Sequence, residues 1–170
     1  MTKRKYFLEK AAGLYIIDKN TKKVVIIKSS GGNYGFPKGH IEKQDKSSLD
    51  AAIRETKEEI GIKVKKSEII KSKKFITDFY FFRKKTKNPK ERPLGWVRKN
   101  VIMYIALIDS KEHKIKIQEE ELSSAKFINF EQVQQLIENA DIKKYGKVTP
   151  ISKKVIKMSK QVQKFIEKIE

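Results

Sequence analysis

Cysteine is absent from the 170 residues, which excludes a disulfide framework and any thiolate metal site. Histidine occurs only twice, so oxygen is the main ligand type that the chain can offer a metal. No run approaches the roughly 18 apolar residues of a membrane span. The first ten residues are interrupted by charge too soon for a signal peptide. These absences predict a cytoplasmic protein with no membrane partner. Acidic residues are also scarce: 21 Asp+Glu face 40 Lys+Arg, a net charge of +19. Only five of the cations are arginines, leaving 40 − 5 = 35 lysines. Such an excess suits a polyanionic partner such as RNA, and equally reflects a Lys- and Ile-rich composition. With 38% apolar residues the chain is not disordered, and its length predicts one domain over residues 1–170.

Residues 12–17 and 23–28 are β-branched and aromatic runs around a polar turn, and they read as a hairpin. The segment from Ser29 to Gly39 then holds four of the eight glycines and Pro37, which predicts irregular backbone making a close approach. Ser47 or Ser48 can cap a helix running to Ile60, with Gly61 as its left-handed stop. Leu49, Ala52, Ile53, Thr56 and Ile60 would form its apolar face. Strands are expected at Ile62–Val64, around Ile69–Phe82, at Val97–Ile108 and at Ala125–Asn129. The basic connection Arg83–Gly95 is a surface loop that could face substrate. A helix over Phe130–Asn139 follows. Thr149-Pro150 opens a last amphipathic helix, about 149–168, with Ile151, Val155, Met158, Val162, Phe165 and Ile169 as its stripe. Strands with one early and two late helices predict an α/β fold in which helices pack on a mixed sheet.

In the first helix Glu55, Glu58 and Glu59 stand at i, i+3 and i+4, so they share a face, read here as opposite the apolar one. Like charges at this spacing cost a few tenths of a kcal/mol per pair. A cation would relieve that cost; oxygen ligands suit Mg²⁺ or Mn²⁺, which also take substrate phosphate oxygens. A solvated patch salt-bridged by Arg54 and Lys57 is the alternative. The flexible Gly-Phe-Pro-Lys-Gly loop just upstream favours the cation.

Gly39 followed by Arg54-Glu55-x-x-Glu58-Glu59-x-Gly61-Ile62 closely resembles the Nudix box, Gly-x5-Glu-x7-Arg-Glu-U-x-Glu-Glu-x-Gly-U, here spanning residues 39–62. The flanking strands extend the likeness over about residues 8–140. This sequence departs from the pattern in three ways. Gly39 to Arg54 is one residue too long, Asp45 or Lys46 falls where a glutamate is usual, and Thr56 replaces an aliphatic residue. Placing the extra residue after Asp45 keeps the charge.

The resemblance implies a Nudix-like α/β/α sandwich and a divalent-metal pyrophosphohydrolase cleaving a nucleoside diphosphate linked to another moiety. It implies Glu55, Glu58 and Glu59 as metal ligands with the Gly39 carbonyl, and Arg54 as the residue that fixes the box by pairing with Asp45. A fourth acidic group would come from Glu119, Glu120 or Glu121, with Glu120 as the candidate ligand. Lys38 could contact a phosphate, whereas His40 reads as structural or exposed. For base binding the candidates are Tyr34, Phe79 and Tyr104, although strand alternation divides Phe79 and Phe81 from Tyr80 and Phe82 and requires some of these rings in the core. Arg-Glu-Thr-x-Glu-Glu is similar to members that cleave diadenosine polyphosphates, so a dinucleoside polyphosphate is the leading substrate. RNA 5′ ends, nucleoside triphosphates and diphosphoinositol polyphosphates are the alternatives within that chemistry. A catalytically silent nucleotide- or RNA-binding Nudix module is the alternative outside it.

Overall fold

The computed structural model describes residues 5–169. Strand β1 (Phe7–Asp18) is the centre of a seven-stranded mixed sheet. It pairs in parallel with β6 (Gly95–Ile108) along its whole length, and β6 pairs antiparallel with the edge strand β5 (Ile69–Arg83). On the other side lie β2 (Val24–Ser29), the two-residue β3 (Tyr34–Gly35) and β7 (Leu122–Ile128), with β3 and β7 both on β2. Eight consecutive residues of β1, Ala11 to Asp18, are buried, as expected of a strand covered on both faces.

The expected hairpin forms only at its base. β1 and β2 are in register at Ile17↔Val24 and then part, because the short strand β4 (Lys38–His40) takes the edge of β1 instead. Leu14 donates its amide to the Pro37 carbonyl at 3.0 Å, and Ala12 faces Gly39. Gly13 is required by this approach: a Cβ there would lie 2.2 Å from the Pro37 oxygen. The glycine-rich segment thus folds back so that the start of the box is hydrogen-bonded to the central strand.

Helix α1 (Ser48–Ile60) covers one sheet face, while α2 (Phe130–Tyr145) and α3 (Pro150–Lys168) cover the other, an α/β/α arrangement. Ala12, Leu14 and Ile16 meet α1, and Tyr15, Ile17, Met103 and Ile105 meet the helix pair. Ser47 caps α1 by accepting from Asp50 N at 3.1 Å, and Gly61 ends it at φ 73°. Gly146, at φ 71°, ends α2 six residues beyond the expected Asn139.

Two further expectations are corrected. Ile62–Val64 forms no strand, although Ile62 and Val64 are buried. The passing segment gives its amides to the end of α1 instead, Lys116 N to Ile60 O and Gln118 N to Glu59 O, both at 2.9 Å. The stripe of α3 is also rotated and shortened. Ile156, Met158, Ser159, Val162 and Ile166 are buried, whereas Ile151 and Ile169, at the two ends of the helix, are exposed.

Candidate active site

The helical wheel places the box glutamates differently from the spacing argument. At 3.6 residues per turn Glu59 falls only about 20° from Ala52, so it shares the apolar sector rather than opposing it. α1 accordingly buries Ala51, Ala52, Thr56, Glu59 and Ile60. Thr56 fits this apolar position because its hydroxyl donates to Ala52 O at 2.8 Å. The carboxylates form a graded ladder, with Glu59 8% exposed, Glu55 half-buried and Glu58 exposed.

Glu59 turns towards β4, where its Oε2 accepts the Lys38 amide at 3.0 Å. Burial pushes its carboxyl up to about 7, against the attraction of Lys38 and with repulsion from Glu55 and Glu121. Burial raises Glu55 as well, with Arg54 opposing. Glu55 lies directly against the box glycine: a Cβ on Gly39 would fall 1.9 Å from its Cδ, so only glycine leaves room for that carboxylate.

Arg54 organises the loop and the ladder together. Its Nε and Nη2 bind the two oxygens of Asp45 at 3.0 and 2.9 Å, the fork-to-fork geometry that only a guanidinium provides. Nη2 also donates to His40 O at 2.9 Å, while Nη1 donates to Glu55 and Glu58, each at 2.9 Å. The guanidinium holds Asp45 below the usual carboxylate range. Asp45 also closes the turn before it, accepting from Glu42 N through Oδ2 at 2.8 Å. Among the described residues no three acidic or histidine side chains stand close enough to form a ready-made metal cage. Arg54 instead links Glu55 and Glu58 while Glu59 faces Lys38.

A cavity of about 350 Å³ lies beside this acidic site on the α2/α3 side of the sheet. Tyr34, Phe36, Phe79 and Phe81 supply rings, Lys38 and Lys99 supply charge, and Tyr145 and Ile151 come from the two helices. Lys38 therefore borders both the cavity and Glu59. Tyr34 and Phe79 are among the rings expected at a base. Tyr104 is not: it lies on the α1 side of the sheet, where its hydroxyl and that of Ser48 are 2.6 Å apart. Strand alternation separates it from the cavity, since Met103 lines that space and Tyr104 points the other way.

Of the three glutamates at 119–121, Glu121 stands near enough to repel the Glu59 carboxylate. The loop is anchored there through Ser30 N to Glu121 O at 2.8 Å. Sequence reasoning missed Lys99, whose ammonium pKa is lowered to about 8 by burial and by Lys38, Arg92 and Arg83. It faces Glu9 across the β1–β6 pairing, but a lone lysine in a strand of a lysine-rich chain carries no signal. His40 is half-buried among charged groups. Its Nε2 is 3.3 Å from Glu9, its Nδ1 is 3.1 Å from Arg92 Nη2, and burial beside Lys99 lowers its pKa. With arginine as the donor at Nδ1, Nε2 carries the proton and donates to Glu9. Glu9 also pairs with Arg83 at 2.7 Å.

Known proteins match this arrangement at several levels. A protein of Invertebrate iridescent virus 3 named "Putative hydrolase 111R" is 30% identical over 77 residues, spanning 45% of this chain and 44% of that protein. The crystal structure of a C. elegans Ap4A hydrolase binary complex superposes with a TM-score of 0.65 at 20% identity, covering 94% of this chain and 98% of that one. A MutT NUDIX hydrolase from Burkholderia pseudomallei gives a TM-score of 0.52 at 15% identity over 74% of this chain and 85% of the other. These two structures share the fold. The family model described as NUDIX domain matches residues 8–148, which include the sheet, the Arg54-centred box and the carboxylate ladder, and the chain therefore belongs to the NUDIX domain family.

Proposed function

We propose that this NUDIX hydrolase cleaves a pyrophosphate bond of a dinucleoside polyphosphate in a reaction that needs Mg²⁺ or Mn²⁺. The observation that carries the reading is Lys38, whose backbone amide binds Glu59 while the residue lines the ring-bearing cavity. One residue thereby joins an acidic site suited to a metal diphosphate to a compartment suited to a base. The near full-length likeness to the C. elegans Ap4A hydrolase and the Arg-Glu-Thr-Lys-Glu-Glu sequence support the two-nucleoside substrate.

The donor set fits a hard divalent cation. The ligands on offer are carboxylate oxygens and the Gly39 carbonyl, and Glu55 rests in the space left by the missing Cβ of Gly39. In this reading Glu55, Glu58, Glu59 and the Gly39 carbonyl hold the metal. When bound, the metal neutralises the diphosphate and lowers the pKa of an attacking water. Arg54 keeps Asp45, the His40 carbonyl and the glutamates in one frame. Lys38 and Lys99 bind substrate phosphates as point charges. Tyr34, Phe79 and Phe81 receive the base and exclude water from it. Glu121, the acidic neighbour of Glu59, takes the role of proton acceptor.

The test is phosphate release from a panel of dinucleoside polyphosphates, nucleoside triphosphates, ADP-ribose and 5′-triphosphorylated RNA with Mg²⁺. Dinucleoside polyphosphates should give the highest kcat/KM, and Glu58→Gln should lose about 100-fold or more. A different preferred class would overturn the substrate, and comparable rates in Glu58→Gln would overturn the metal site.

A further inference from the structure

The end of the sheet beyond α1 carries an aromatic surface that the cavity does not use. Its rings come from three strands or their approaches: Tyr6 just before β1, Tyr80 and Phe82 on β5, and Trp96 on β6. Ring centroids are 5.4 Å apart for Tyr6 and Tyr80, 6.3 Å for Tyr6 and Trp96, and 5.3 Å for Phe82 and Trp96. Register assigns them to one face. Phe82 is opposite Trp96, and Tyr80 and Leu8 are both opposite Arg98. Continuing along β1, the same face carries Ala12, Leu14 and Ile16 beneath α1. The helix stops short of the aromatic end, so Tyr80 is 47%, Phe82 49% and Leu8 74% exposed. Exposed apolar side chains gathered on one face are a mark of an interaction surface.

The charge around these rings selects the partner. Lys10 and Arg98 share this end of the face by register, and the α3 residue Lys154 brings its Nζ to 5.3 Å from the Tyr80 ring. Asp78, paired with Arg98 at 2.8 Å, is the acidic residue that this face carries beside the rings, and Asp18, at the far end of β1, is buried. The adjoining 84–94 loop adds Lys84, Lys85, Lys87, Lys90 and Arg92 against Glu91, 5 − 1 = +4. A second copy of this chain would bring the same cations against themselves, and a basic or neutral protein would leave them unmatched. Rings that offer π-faces, rimmed by lysines that offer point charges, match the bases and phosphates of a single strand. A duplex hides its bases and offers the rings nothing to stack on.

We propose that the Tyr6–Tyr80–Phe82–Trp96 face binds single-stranded nucleic acid, with bases stacked on the rings and phosphates held by the surrounding lysines and arginines. The platform ends against the start of the box, since Lys10 O accepts the Ile41 amide at 3.1 Å. This inference goes beyond the cavity's substrate and does not depend on it.

The experiment is fluorescence anisotropy with a 3′-labelled, 5′-hydroxyl oligoadenylate of about 12 nucleotides, a length within the site sizes of single-strand binders. It is run without divalent metal, so no hydrolysis can occur. Wild type should bind the single strand at least tenfold more tightly than a duplex of equal length. Tyr80→Ala and Phe82→Ala should each weaken binding about tenfold, within the range of one lost base–ring stack. Tyr80→Phe should retain it, and thermal melts confirm that each variant is folded. Three results would overturn the proposal: alanine variants that bind as wild type, a duplex that competes equally, or sedimentation showing a dimer that dissociates in Phe82→Ala, which would assign the face to a second copy.

Discussion

Lys38 donates its backbone amide to Glu59 at 3.0 Å, and the same residue lines the aromatic cavity. The contact crosses from β4 to the last turn of α1, between residues 21 positions apart. It depends on the fold-back that lays β4 against β1. The cavity and the acidic ladder are therefore positioned by one short strand, and a disturbance of that strand should reach both.

Gly39→Ala tests this directly. The new Cβ would fall 1.9 Å from Glu55 Cδ, so the carboxylate or β4 must move. A loss of about 1–3 kcal/mol in stability is expected, the usual cost of overpacking. Activity should fall further than stability alone explains, because the displaced group is a proposed metal ligand. Denaturant melts and kcat/KM on the same preparation separate the two effects.

Arg54 and Asp45 should behave as one unit. Arg54→Lys keeps the charge but loses the fork that grips both Asp45 oxygens and reaches Glu55 and Glu58. Arg54→Lys and Asp45→Asn should each lower kcat/KM, and the double variant should lose much less than the product of the two. A double-mutant cycle with coupling near zero would separate the residues.

The cavity lysine gives the enzyme a pH dependence of its own. Lys99 has its pKa lowered to about 8, so it is charged below that pH and neutral above it. A polyanionic substrate should bind less well as pH rises through 8, seen as a decline in kcat/KM, which reports on the free enzyme. Lys99→Arg should flatten that limb because arginine stays charged. A limb that persists in Lys99→Arg would assign the decline to another group.

Asp18 supplies a second pH signal, in stability. It is buried at the β1–β2 turn, and burial pushes its carboxyl up. Hydrogen bonds from Thr21 and from Ser110 N outweigh that effect and hold it at about 2. The folded pKa lies below the unfolded one, so its contribution is complete above about pH 4 and is lost as pH falls towards 2. Asp18→Asn should cost roughly 1–2 kcal/mol at pH 7 and almost nothing near pH 2, as read from urea melts.

Much of this was legible in the sequence because the signals are local. The Ser47 cap, the Gly61 stop and Thr149-Pro150 each act within a turn of their own helix, and each lies where the residue types indicate. Asp45 and Arg54 were also within reach, since charge conservation across the extra residue selects Asp45 over Lys46. The failures were non-local. Ile62–Val64 has the composition of a strand, yet it packs Ile62 and Val64 into the core on the α1 side without joining the sheet. Tyr104 and Lys99 sit on the same strand, and only the sheet decides that one faces α1 and the other the cavity.

The sequence by itself determined the family, the identity of the acidic ladder and the helix that carries it, because those depend on residue types at fixed short spacings. Tertiary structure decided which glutamate is buried, which member of the 119–121 run approaches the site, and which rings line a cavity or form an exposed platform. Those properties depend on strand register and on which helix covers which face. Contacts between residues far apart along the chain set both, and no local periodicity encodes them.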